Sequence, residues 1–228
     1  MNFIKLKSQI LAYESILAAL NSNKRLILLI GKSGSGKSFL LEFLAKKHNF
    51  LLLNEPFFEE KTFLASLYKK AFHEDKILDF QSLFDILRSK KEDKFIFLLD
   101  EVGMYDECLL EKIRILSDLH NVYFVLSLHK KQALFEEMHL KSRLGIELRL
   151  GDLSLEELRI YIEQKHEISG FKKAHLKWLD RVCFSNLRSL DKIFETFLKL
   201  ETFYQKENII KKHKELLELC ALHHNLLG

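Results

Sequence analysis

The chain has 228 residues, 47% of them hydrophobic, and its 36 basic and 32 acidic side chains leave a formal net charge of +4. This length suffices for one α/β core and a small second domain, and a single proline with only eight glycines excludes long flexible linkers. The three cysteines, Cys108, Cys183 and Cys220, are far apart without a C-x-x-C pair, which argues against a disulfide framework or a zinc site.

Charge and hydropathy also bear on where the protein acts. No apolar run approaches the roughly 20 residues that span a bilayer, and the first residues lack the hydrophobic region of a signal peptide. We therefore expect a cytoplasmic protein. A local basic excess between Phe171 and Lys192 fits either a phosphate-contacting surface or a solvated helix face, and the second interpretation is favoured.

Helix and strand signals alternate over the first 150 residues. This pattern is typical of a parallel sheet covered by helices on both faces. The strands are short apolar runs, and the helices show apolar residues at helical spacing. In chain order, the predicted elements are helix 8–20, strand 26–30, a helix from residue 39, strand 50–53, helices 61–71 and 80–89, strand 95–99, helix 107–119, and strands 122–126 and 146–150.

A phosphate-binding pattern lies between the first strand and the next helix. Residues Gly31–Ser38 fit G-x-x-x-x-G-K-[ST] and follow the apolar run 26–30 directly. The glycines let backbone N–H groups face phosphate oxygens, and the helix N-terminus adds its positive dipole end. A simple Gly/Ser turn is the less favoured alternative because eight positions are constrained. Nucleotide contacts are predicted at Gly31, Lys32, Ser33, Gly34, Ser35, Gly36, Lys37, Ser38 and Phe39.

Two side chains of this loop have specific predicted roles. Lys37 is expected to reach the β and γ phosphates of ATP. The hydroxyl of Ser38 is expected to bind Mg²⁺. The loop therefore predicts Mg-ATP as the ligand, although no base-specificity motif decides between adenine and guanine.

An adjacent acid pair follows the strand 95–99. Sheets of this type bind their ligands at the carboxyl ends of the strands. We expect Asp100 to hold Mg²⁺ through water and Glu101 to polarise the attacking water, which indicates a hydrolase rather than a small-molecule kinase. The alternative is a pair of acids at the start of a helix.

Four further residues are candidates for the reaction. Ser127, at the end of the fourth strand, either senses the γ phosphate or is an ordinary strand-end hydroxyl. His129 is a second candidate there, although a surface histidine is the favoured description. Phosphoryl transfer needs positive charge, so Arg143, before the fifth strand, and Arg188, at the start of a later helix, are also candidates. Isolated arginines are, however, usually surface residues.

Beyond about residue 150 the signals are helical only. Ser154 and Glu157 have the spacing of a capping box. We expect an α/β nucleotide-binding domain over residues 1–150 and a helical lid domain over residues 151–228. The helices of the second domain are predicted at 154–167, 175–184, 187–203 and 205–226.

Together these motifs resemble the AAA+ ATPases, and more narrowly the secretion, pilus-assembly and transposition group typified by the ExeA/GspA, MshM and TniB proteins. The leucine-arginine rhythm of residues 110–117, Arg143-Leu144, the block 150–157 and Tyr161-Ile162 carry the narrower resemblance. It implies a three-layer P-loop NTPase fold with a five-stranded parallel sheet of order 5-1-4-3-2 and a small helical lid.

The resemblance also implies roles for single residues. Arg143 is the finger that acts on a neighbouring subunit, Arg188 is the lid sensor and Ser127 is the sensor of the fourth strand. The chain departs from the group at Val102, where the acid pair usually continues with Ala-Gln, and at Leu128, where Gly-Gln usually ends the sensor strand. The lid motif, usually Gly-x-Pro-Arg, keeps only its arginine. These departures affect the expected turnover rate more than nucleotide binding.

The implied function is a cytoplasmic Mg-ATP hydrolase that couples nucleotide state to assembly or partner contact. Its expected setting is a type II secretion, type IV pilus or DNA-uptake machine, reached at the inner membrane through a protein partner, with ATP-dependent homo-oligomerisation. Two alternatives stay open. One is an ATP-dependent nucleic-acid adaptor of the transposition or helicase-loader type, and the other is a weakly hydrolysing nucleotide switch.

Overall fold

Five parallel strands form the sheet of the described residues, which in this computed structural model are 4–136, 141–209 and 212–227. The strand order is β2-β3-β4-β1-β5, and all four pairings are parallel. This confirms the predicted order 5-1-4-3-2, read here from the opposite edge. The strands are β1 (Leu26–Gly31), β2 (Leu51–Leu53), β3 (Phe95–Leu99), β4 (Val122–Leu128) and β5 (Leu144–Leu150).

Helices accompany this sheet along the chain. Every residue of β1, β3 and β4 is buried, as expected when both faces of a parallel sheet are covered. The aromatic rings of Phe97 and Phe124 stack across neighbouring strands with their centroids 5.4 Å apart. Asp79 and Asp106 accept N-capping hydrogen bonds at two helix starts. The helices are α1 (Lys7–Asn21), α2 (Lys37–His48), α3 (Glu60–Phe72), α4 (Phe80–Ser89) and α5 (Glu107–Ser117).

The chain divides into two compact units. The sheet unit comprises residues 9–32 and 37–150, and the helical unit comprises residues 4–8 and 33–36 together with the described residues from 151 onward. The helical unit has its own apolar core, which includes Leu158, Ile162, Leu179, Phe194 and Phe197. Its helices are α6 (Leu155–His166), α7 (Lys173–Cys183), α8 (Leu187–Lys206) and α9 (His213–His223).

The last predicted helix, 205–226, is wrong at its start. α8 continues to Lys206, and α9 begins only at His213. Asn208 adopts a left-handed conformation with φ 53°, and the N–H of Ile209 donates to Tyr204 O at 2.9 Å, which ends α8. Ile210, inside the predicted helix, lies outside the described residues.

No helix in the described ranges combines the length and apolar character needed to cross a bilayer.

Candidate functional site

The predicted phosphate loop connects the end of β1 to the start of α2. β1 ends at Gly31 and α2 begins at Lys37, so the loop has the strand-loop-helix setting that the motif requires. Gly34 and Gly36 have φ angles of 73° and 92°, a backbone region that favours glycine. Ser38 and Phe39 lie in the first turn of α2, whose N–H groups have no partner within the helix and suit an anion.

The side chain of Lys37 is buried, with only 4% of the residue exposed. Its ammonium group donates hydrogen bonds to the carbonyl oxygens of Gly31 at 2.7 Å and Lys32 at 3.0 Å, and to Nδ1 of His129 at 3.1 Å. A buried charge is tolerated where acceptors surround it. The loop therefore folds around a positive charge.

The acid pair follows β3 at the same edge of the sheet. Asp100 is 3% exposed, its N–H donates to Leu53 O at 2.9 Å, and its Oδ1 accepts from the N–H of Glu101 at 3.0 Å. Glu101 has φ 55°, a left-handed conformation that is uncommon for residues other than glycine. This turn directs the chain into the 3₁₀ turn Val102–Met104 and leaves the Glu101 carboxylate half-buried.

His129 connects the loop to the acid pair. Its Nε2 lies 3.0 Å from Oε2 of Glu101, while its Nδ1 accepts from Lys37. The sheet order explains this contact, because β4 lies between β1 and β3 and the residue that follows β4 can reach the residues that follow both neighbours. The favoured description of His129 as a surface residue was incomplete, since its side chain is 45% exposed but contacts both site residues.

Two buried hydroxyl groups lie near Asp100. Ser127 is fully buried. Because Leu126 pairs with Leu99 in the parallel register, the residues that follow them, Ser127 and Asp100, also lie side by side. The Oγ of Ser127, like the hydroxyl of Tyr105, makes no hydrogen bond to any described residue. Burial, together with the charge of Asp100, raises the pKa of Tyr105, so this hydroxyl stays protonated. No sequence pattern pointed to Tyr105.

The residues fit Mg²⁺. This ion takes oxygen ligands and binds through one or two carboxylates, a hydroxyl, waters and substrate phosphates. The buried carboxylate of Asp100 and the hydroxyl of Ser38 are oxygen groups of this kind. The Ser127 hydroxyl, which lies beside Asp100 and has no hydrogen-bond partner among the described residues, is typical of a position that hydrogen-bonds to water or to a ligand.

Arg143 lies away from these residues. It precedes β5, so in a parallel sheet it lies at the edge opposite to the loop and the acid pair. Its Nε donates to Oδ1 of Asp118 at 2.9 Å and its Nη1 to Ser142 Oγ at 3.0 Å, and its side chain is 43% exposed. The structure therefore does not bring Arg143 to the site of its own chain.

Arg188 belongs to the helical unit, where it is exposed on the first turn of α8. Asn186 caps this helix by accepting from the N–H of Ser189 at 3.1 Å. The same unit includes loop residues 33–36, and the N–H of Leu187 donates to Gly34 O at 2.9 Å. A Cβ at Gly34 would overlap the end of the Asn186 side chain and force this capping residue to shift, and the φ angle of 73° favours glycine at this position.

Comparison with known proteins gives the fold. No protein-family model and no curated protein matches the chain. Three solved structures of variants of RuvB from Thermotoga maritima superpose with TM-scores of 0.60, 0.58 and 0.53, at 16%, 14% and 15% identity. The superposed regions cover 96%, 93% and 94% of this chain. They cover 69%, 68% and 66% of the three RuvB chains, in the same order. The fold of this chain is the α/β P-loop NTPase fold.

Proposed function

We propose that the chain is an AAA+ ATPase that binds and hydrolyses Mg-ATP at the loop between β1 and α2. The observation that carries this proposal is the series of contacts Lys37–His129–Glu101, in which Lys37 donates to His129 and the ring lies 3.0 Å from the Glu101 carboxylate, so that the phosphate loop is joined to the acid pair. A structural Gly/Ser turn would have no reason to bury a lysine ammonium group beside a carboxylate-bearing turn.

Each residue of the site has a separate role in the proposed hydrolysis of ATP. The loop N–H groups and Lys37 bind the phosphates and stabilise the charge that develops on the transferred group. Glu101 accepts a proton from the attacking water. Asp100 and Ser38 hold Mg²⁺, which when bound neutralises charge on the phosphate oxygens. Ser127, buried beside Asp100, is the proposed sensor of the γ phosphate.

Two arginines complete the proposal. Arg143 acts on the site of a neighbouring subunit, and its location at the opposite edge of the sheet supports action on a neighbour rather than on its own chain. Arg188 is the proposed lid sensor. An ATP-dependent homo-oligomer follows from the first of these roles.

The proposed setting is the cytoplasmic side of the inner membrane, in a type II secretion, type IV pilus or DNA-uptake machine. The resemblance of residues 110–117 and 150–157 to the ExeA/GspA, MshM and TniB group supports it. A pull-down with the Glu101→Gln protein in Mg-ATP should recover a component of such a machine. Recovery of nucleic acid instead, lost when Lys172, Lys173 and Lys177 are neutralised, would favour the adaptor alternative.

The proposed base is tested by phosphate release from the Glu101→Gln protein. We expect it to retain Mg-ATP binding and to hydrolyse on the order of a hundredfold more slowly, the usual effect of losing a positioned base. Glu107→Gln, which alters an exposed acid on α5, is the matched control and should hydrolyse at the wild-type rate. Wild-type turnover by Glu101→Gln would remove Glu101 from this role.

A further inference from the structure

His129 contacts two charged side chains, and the hydrogen bond that it accepts from Lys37 defines which ring nitrogen carries the proton. Lys37 Nζ lies 3.1 Å from Nδ1, and Glu101 Oε2 lies 3.0 Å from Nε2. A lysine ammonium group only donates and an ionised carboxylate only accepts. Nδ1 must therefore be the acceptor and Nε2 must carry the proton, which is the neutral Nε2–H tautomer.

This tautomer makes the ring a directional bridge. Nδ1 faces the ammonium group that donates to it, and Nε2–H faces the carboxylate of Glu101. The ring therefore contacts Lys37, which is proposed to bind phosphate, through Nδ1. Through Nε2 it contacts Glu101, which is proposed to activate water.

We propose that His129 is a positioning residue that couples occupancy of the phosphate loop to the position of Glu101. This inference rests on the proposed function. In the structure described here Lys37 donates to His129, and a bound phosphate competes for the same ammonium group. When Lys37 turns to phosphate, Nδ1 loses its donor, so the ring that orients Glu101 is released by ligand binding.

The competition has a measurable consequence for nucleotide affinity. His129→Leu removes one of the acceptors that hold Lys37 in the nucleotide-free protein. The variant should therefore bind Mg-ATP about 2- to 10-fold more tightly than the wild type, the range expected for one hydrogen bond. His129→Gln should bind as the wild type does, because its amide oxygen accepts from Lys37 while its amide N–H donates to Glu101. His120→Ala is the control, since the His120 ring contacts only Lys91 O among described residues.

A double-mutant cycle isolates the coupling from other effects. Glu101→Ala is made in the wild-type and His129→Leu backgrounds, and the dissociation constant of a non-hydrolysable Mg-ATP analogue is measured by calorimetry. Glu101→Ala should change this constant by factors that differ about 2- to 10-fold between the two backgrounds. Equal factors in both backgrounds overturn the inference, whereas failure of the wild type to bind nucleotide overturns the proposed function itself.

The wild-type protein provides a second test that needs no variant to fold. In histidine-labelled protein, ¹⁵N chemical shifts distinguish a protonated ring nitrogen from an unprotonated one, and His129→Gln assigns the signal. We expect Nε2 protonated and Nδ1 unprotonated without nucleotide, and a change at Nδ1 on adding Mg-ATP but not Mg²⁺ alone. A protonated Nδ1 in the empty protein, or a ring unaffected by bound nucleotide, contradicts the bridge.

Discussion

Lys37 carries a positive charge that is buried among neutral hydrogen-bond acceptors. Its ammonium group is enclosed by two carbonyl oxygens and an imidazole nitrogen, all of which are weaker partners than the oxygens of a triphosphate. Arg143 is in the opposite situation, because its guanidinium is half-exposed and paired with a carboxylate of its own chain. In the proposed roles both residues exchange partners, Lys37 its neutral acceptors for phosphate and Arg143 the carboxylate of Asp118 for the site of a neighbouring subunit.

The exchange at Arg143 is testable. Arg143→Ala should leave Mg-ATP affinity unchanged and lower hydrolysis per subunit at least about tenfold at high protein concentration, because an arginine finger serves a neighbour. Asp118→Asn, which weakens the pairing, should shift the rise in hydrolysis to lower protein concentration.

The measurement is phosphate release over a dilution series, with Arg149→Ala, which alters an exposed arginine within β5, as the control. The proposed role of Arg143 as an arginine finger would be excluded if the protein stayed monomeric with ATP and its hydrolysis per subunit did not depend on protein concentration.

At the level of elements, side chains that satisfy the ends of helices decide where they begin. The capping box predicted from Ser154 and Glu157 forms at α6, and the second carboxylate oxygen of Glu157 also accepts from the N–H of Ser8 at 2.8 Å. The first of these contacts was predictable because it is local. The second joins residues 149 positions apart and has no sequence signal.

The C-terminal end of α7 stores backbone strain at Phe184. This residue has φ 51° and is 76% exposed, and its N–H donates to Asp180 O at 2.8 Å. Phe184→Gly should raise the free energy of unfolding by about 1 kcal/mol in urea titrations, because a left-handed conformation costs about 1–2 kcal/mol for residues with a Cβ. Phe184→Ala keeps that cost, so equal stabilities of the two variants would contradict the explanation.

A cluster around Asp191 links α6 to α8 and makes stability depend on pH. The carboxylate accepts from Tyr161 at 2.8 Å, Lys165 at 2.7 Å and His166 at 3.1 Å. Burial alone would raise the pKa of Asp191, but these hydrogen bonds outweigh it and the pKa is lowered from 3.8.

A lowered carboxylate pKa contributes stability that is complete above the unfolded value and is lost as pH falls through the folded one. Asp191→Asn should therefore reduce the free energy of unfolding at neutral pH by about 1–3 kcal/mol, and the difference from wild type should shrink as pH falls below 3.8. A difference that stays constant into acid would show that the charge of Asp191 is not responsible.

At the scale of the whole molecule, strand order determines which residues meet. The loop follows β1, the acid pair follows β3, and β4 lies between these strands. Side chains that are far apart in sequence therefore share one sheet edge, whereas Arg143, which precedes β5, lies at the other.

Much of this arrangement was predictable. The apolar runs and the loop motif predicted the strands, and the resemblance supplied the sheet order. The contact of His129 was not predicted, although its place directly after β4, combined with that order, is the signal that would have found it. The hydroxyl of Tyr105 and the break between α8 and α9 depend on packing and on a single left-handed residue, Asn208, which local patterns do not encode.

The most direct measurement of the central claim is calorimetric titration of the wild-type and Lys37→Ala proteins with Mg-ATP. We predict binding by the wild type and at least a tenfold weaker affinity, about the effect of losing a hydrogen bond to a charged group, for Lys37→Ala. Lys46→Ala, at the exposed far end of α2, should bind as the wild type does. No binding by the wild type at millimolar Mg-ATP, or equal binding by Lys37→Ala, would contradict the account.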